Sequence, residues 1–173
     1  MQTESRNNEA APRVVRRAEV AGVVHVDGVD RGAAERSAQV IRALAIASAH
    51  GPVEIAEAYE ERAARSTLTI SGSLPAVLRV LNATSQAGAR VVEERAHTSF
   101  VASVDEVGAE KAVAISDHLL NAAKHHPAGD SPLDVRTEHD EHARRLRVKL
   151  DGSLFATSYL LFLVNLYLTQ SRT

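Results

Sequence analysis

Leu154–Leu168 is apolar almost without interruption and contains Phe155, Tyr159, Phe162 and Tyr167, while the whole chain has only three Phe, three Tyr and no Trp. A helix that is apolar nearly all round has to be covered on several sides, by a sheet of its own domain or by another subunit. At about 15 residues, roughly 22 Å as a helix, the segment falls short of the ~20 residues that a bilayer span requires. Thr157, Ser158 and Asn165 also interrupt it. No membrane span is expected. The segment reads as a central packing helix, and its four aromatic residues, Phe155, Tyr159, Phe162 and Tyr167, are the candidates for an oligomer or partner contact.

With 173 residues and 45% apolar composition, the chain has enough material for one ordinary hydrophobic core. A single α+β domain over 13–173 is expected behind a flexible tail over 1–12. That tail is polar, with neither the basic start nor the apolar centre of a secretory signal. The net charge of -2 comes from interspersed acids and bases, so no overall basic field draws in nucleic acid or acidic membranes. There is no cysteine, which removes disulfides, thiol nucleophiles and thiolate metal sites and makes the cytoplasm the expected compartment.

Val14–Val26 alternates Val20, Val24 and Val26 against Glu19, His25 and Asp27, as in a strand or a hairpin around Gly22. Ala34, Ala38, Ile41 and Ala45 recur at helical spacing up to His50-Gly51-Pro52. A second helix is expected over 53–65, anchored by Ile55 and Tyr59. Thr67–Ile70 reads as a short strand, followed by a helix on Leu74, Val77, Leu78 and Leu81 with Ser73 as cap, Pro75 in its first turn and Gly88 as its stop. Over 92–104 one bent strand or a hairpin near Arg95-Ala96-His97 is expected, then a helix from about Asp105 to His125 that 127–132 breaks. Leu133–Thr137 and Arg145–Leu150 read as antiparallel strands joined by a polar connection, Glu138–His142. The order suits an α+β fold, with helices over one face of a mainly antiparallel sheet and an apolar C-terminal packing helix. No internal repeat or low-complexity linker is evident.

Glu138-His139-Asp140-Glu141-His142 offers imidazole and carboxylate, the ligand types of zinc, iron or nickel. Between strands that geometry is not fixed, and a solvated charged turn is the simpler reading; no metal is assigned. His125-His126 stands at a helix end, where carbonyls favour positive charge. Ser71-Gly72-Ser73 lacks the G-x-S-x-G elbow, and glycine-rich phosphate signatures are absent. No catalytic residue and no cofactor are assigned.

Three partial resemblances narrow the functions. Ser116–His125, followed by two strands and Asp151-Gly152, resembles the N-box of the ATP-binding domains of histidine kinases and their anti-sigma-factor relatives. That resemblance implies a magnesium-nucleotide site using Asp117, Asn121 and Lys124, although Asp151-Gly152 lacks the intervening residue of the family's Asp-x-Gly motif. The segment 51–95, with Gly51–Ala58, Pro75–Leu81 and Gly88, resembles winged-helix regulators and implies DNA binding through a recognition helix. That helix carries only Arg79 as a cation. A βαββαβ order over 67–137 resembles ferredoxin-type or ACT-type regulatory domains. The expectation that follows is a non-enzymatic, cytoplasmic interaction or regulatory protein that forms a homo-oligomer or binds a protein partner. A degenerate ATP-binding domain and a DNA-binding regulator are the alternatives.

Overall fold

The computed structural model describes residues 17–46, 51–86, 95–126 and 133–170, with backbone alone for 84–86. In chain order the elements are β1 (Ala18–Asp27), α1 (Arg31–Ile46), β2 (Val53–Glu60), β3 (Arg65–Ser73), α2 (Leu74–Gln86), β4 (Ala96–Val104), α3 (Ala109–Lys124), β5 (Asp134–Asp140), β6 (Arg145–Ser153) and α4 (Leu154–Gln170). The strands form one six-stranded sheet in the order β2-β3-β1-β4-β6-β5, and every neighbouring pair is antiparallel. The helices cover one face in the spatial order α1, α2, α4, α3. This is the expected α+β fold.

Alternation explains the two layers. Val20, Val24, Leu68, Ile70, Phe100, Ala102, Val148 and Leu150 point from the central strands into the core, where Ile41, Val77, Ile115, Leu119, Leu160 and Leu161 of the helices meet them. Their neighbours, among them Glu19, Thr69, His97 and Arg147, lie on the other face and stay partly or fully solvated, as an antiparallel sheet allows. Among the described residues no helix is long and apolar enough to cross a membrane.

The order β-α-β-β-α occurs twice, over 18–86 and over 96–170. The two units share interactions as well as topology. Asp27 binds Arg65 in the first and Asp105 binds Arg145 in the second, each at 2.6 Å. The Val29 N–H donates to the Ala64 carbonyl, and the Val107 N–H donates to the Arg144 carbonyl. Ala64 and Arg144 are both left-handed, at φ 47° and 49°, and so are Gly28 and Glu106, at φ 70° and 61°. The Tyr59 hydroxyl donates to the Val29 carbonyl at 2.8 Å, and in the second unit His139 Nε2 lies 2.8 Å from the Val107 carbonyl. A carbonyl only accepts, so the proton of that bond sits on Nε2. His139 is thereby a structural counterpart of a tyrosine.

The units meet where β1 pairs with β4, and the equivalent residues Gly22 and Phe100 lie directly opposite each other. They stand at a pseudo-twofold axis perpendicular to the sheet, which brings α2 and α4 side by side at the centre of the helix layer. Two large side chains cannot share that position. A Cβ on Gly22 would come within 2.1 Å of Phe100 Cδ1 and 2.5 Å of the Ser99 carbonyl oxygen.

Several expectations change. The segment 53–65 is not a helix but strand β2 and a turn, because the spacing of Ile55 and Tyr59 fits period 2 as well as period 3.6. Val53, Ile55, Glu57 and Tyr59 face the helices, while Glu54, Ala56, Ala58 and Glu60 face out. With Gly51–Ala58 leading into a strand, the winged-helix resemblance loses its first helix. The βαββαβ order is present, but it runs from β1 to β4 over 18–104 rather than over 67–137, since β4 is one continuous strand and not a pair. β1 likewise runs unbroken through Gly22. Of the polar connection, Glu138, His139 and Asp140 belong to β5. The tail 1–12, Val14, Gly88, Val92 and the 127–132 break lie outside the described residues.

Candidate interaction site

β6 runs straight into α4, and the local chemistry at Ser153 starts the helix. Ser153 Oγ accepts the Ala156 N–H at 3.2 Å, satisfying one of the donors that a helix start leaves open. Thr157, fully buried, lies 2.7 Å from the Thr98 hydroxyl, and its single proton goes either to Thr98 or back to the Ser153 or Leu154 carbonyl. Thr98 in turn reaches the Gly152 carbonyl at 3.0 Å. These hydroxyls therefore sit in the core without a desolvation penalty left open. Their equivalents in the first unit, Val20 and Val77, are plain core residues.

The helix has two unlike faces. Leu154, Ala156, Thr157, Leu160, Leu161, Val164 and Leu168 are buried against the sheet and the flanking helices. Phe155, Tyr159 and Phe162 project outward at 54%, 38% and 47% exposure. The packing helix is thus covered on its inner side alone, and three of the four aromatic candidates share the open side. Tyr167 is half-buried one turn and more beyond them, with its ring 4.8 Å from that of His118 on α3.

His126, at the end of α3, lays its ring beside the patch, 5.5 Å from Phe155 and 5.2 Å from Tyr159. Partial burial among these rings holds its pKa below the ordinary imidazole value, because removal of water penalises the charged form. The imidazole is thereby biased toward its neutral form beside the patch. Between α2 and α4 runs an open groove of about 200 Å³, lined by Leu81 and Asn82 of α2 and by Leu154, Phe155, Ser158, Tyr159 and Phe162 of α4.

The first unit supplies an internal control. Leu74 and Leu154 open α2 and α4 at equivalent positions, and the burial patterns of the two helices then agree almost residue by residue. Pro75, Arg79 and Asn82 are the exposed residues of α2 that correspond to Phe155, Tyr159 and Phe162 of α4. The fold accepts proline, arginine and asparagine at these places. Aromatic side chains there are a property of α4 and not a requirement of the architecture.

The nucleotide candidates Asp117, Asn121 and Lys124 are all exposed on α3. Asp117 and Asn121 share one outer face through their i, i+4 spacing. Asp151 lies on the opposite face of the sheet, because Leu150 and Gly152 point into the core, so the two parts of that motif are not brought together. The Asn121 carbonyl also receives the His125 N–H and contacts His125 Nδ1 at 2.9 Å, which places His125 at the helix end. In the histidine-rich stretch, Glu138 accepts from Lys149, and the Ala143 N–H holds the Asp140 carboxyl below the usual carboxylate range. Among the described residues no three His, Asp or Glu form a group able to hold a metal ion.

The sequence names the aromatic residues and sets His126 at a helix end, but it does not bring His126 beside Phe155 and Tyr159, which depends on α3 ending next to α4. It also misses the role of α2, which forms the second wall of the groove. No family model and no curated protein matches the chain. Among solved structures it is similar to the regulatory subunit of aspartate kinase from Thermus flavus, at 10% identity and a TM-score of 0.32 over 88% of this chain and 95% of that one. The ligand-free regulatory subunit of aspartate kinase from Thermus thermophilus stands at 11% identity and a TM-score of 0.32, over 88% and 97%.

Proposed function

We propose that this chain is a non-enzymatic regulatory or interaction protein, a single α+β domain that works by docking protein against the open face of α4. One observation carries this reading. Equivalent exposed positions of the two units hold Pro75, Arg79 and Asn82 in one and Phe155, Tyr159 and Phe162 in the other. Half-exposed aromatic rings leave apolar area in water that gains roughly 25 cal/mol per Å² when covered. Aromatic residues gathered in one patch, with neutral polar groups at its edge, match the composition of interface cores.

The double variant Tyr159→Arg/Phe162→Asn, which copies the first unit, separates docking from packing. In dilute protein its unfolding free energy is expected to stay within about 1 kcal/mol of the wild type, as for surface substitutions, while its retention on a hydrophobic-interaction column drops. A loss of about 3 kcal/mol or more, the size that follows deletion of a buried aromatic ring, would show that these rings are core and overturn the reading.

A further inference from the structure

We infer that the occupant of the α4 face is the same face of a second copy of this chain, a deepening that rests on the docking reading above. In a twofold interface each patch meets itself, so residues near the axis face their own copies. A charged patch would repel itself there. α4 has no Asp, Glu, Lys or Arg anywhere in Leu154–Gln170, and His126 beside it is held toward its neutral form by burial. The nearest charge on the exposed row of α2 is Arg79, one turn before Asn82.

A row of projecting rings along a groove also suits self-pairing. Phe155, Tyr159 and Phe162 project from α4 and form one wall of the groove, with Leu81 and Asn82 of α2 on its other side. A patch with a ridge and an adjoining trough can pair with its own copy, the ridge of each entering the trough of the other. Asn82 and Ser158 in the groove offer neutral hydrogen-bonding groups within the region that the Tyr159 hydroxyl of the second copy would enter. An arginine in place of Tyr159 would carry a guanidinium into the uncharged groove of the other copy, where Asn82 and Ser158 offer no opposite charge to pair with it.

The test is the molar mass of the full chain by light scattering over a hundredfold dilution, for the wild type, Tyr159→Arg and Phe162→Asn, with circular dichroism to verify that each variant is folded. The wild type is expected at twice the chain mass of 18.6 kDa in the concentrated samples, with both variants folded and at the chain mass. A wild type at the chain mass throughout overturns self-pairing and leaves α4 as a docking face for a different protein, provided that the double variant keeps its stability. A dimer that persists in both variants overturns the inference as well, because the copies then meet on another surface.

Discussion

Gly22→Ala is expected to lower the unfolding free energy by about 3 kcal/mol, seen as a fall of roughly 10 °C in the melting temperature for a chain of this length. Two effects compete. Replacing glycine restricts the unfolded chain and on its own stabilises by about 0.4–1 kcal/mol where the backbone is compatible. Against this, the new Cβ would sit 2.1 Å from Phe100 Cδ1 and 2.5 Å from the Ser99 carbonyl oxygen. Phe100 is 1% exposed within the hydrophobic core, and the carbonyl belongs to the paired strand. Overpacking of that kind costs more than the entropy returns. A melting temperature for Gly22→Ala within a degree or two of the wild type would mean that Phe100 does not occupy the axis between the two units.

The second large effect lies inside α4. Leu160 and Leu161 are fully buried where α4 crosses β4 and β6 and packs on α2 and α3. Leu160→Ala is expected to destabilise by about 2–5 kcal/mol through lost burial and the cavity left behind. Phe162→Ala, although it removes a larger side chain, is expected to cost less than about 1 kcal/mol in dilute protein, since half of the ring already faces water. Urea unfolding of both variants checks the pair. The burial energy of this helix thus rests on its leucines and not on its most conspicuous side chains, Phe155 and Phe162. Equal losses for Leu160→Ala and Phe162→Ala would place the Phe162 ring in the core and contradict this division.

Much of this fold is legible in residue patterns, and the failures have identifiable physical causes. α1, α2 and α3 show a clean apolar stripe, and β1 and β6 alternate as half-buried strands should. β2 misleads because Ile55 and Tyr59 are four apart, a spacing shared by one face of a strand and one face of a helix. The inward Glu57 in the same row hides the alternation further. α4 shows the opposite problem. A segment apolar on every side carries no periodic signal, so its sequence names the aromatic residues but cannot say which of them point outward.

The duplication is hidden for a further reason. Equivalent positions preserve a geometry and not a residue: Gly28 and Glu106 share a left-handed backbone, Tyr59 and His139 share a carbonyl partner, and Val77 and Thr157 share a buried place. Only short traces such as Gly72-Ser73-Leu74 and Gly152-Ser153-Leu154 repeat literally. Once the two units are superimposed by topology, the departures between them become informative. The aromatic triad is the departure that the fold itself does not require.

Oxidative footprinting of the wild type in dilute solution tests the central claim, that α4 presents its aromatic residues outward, most directly. Phe155, Tyr159 and Phe162 should label readily while Phe100, in the core between the two units, stays protected. If the three α4 rings were as protected as Phe100 in protein verified to be monomeric, they would belong to the core, and the docking face would not exist.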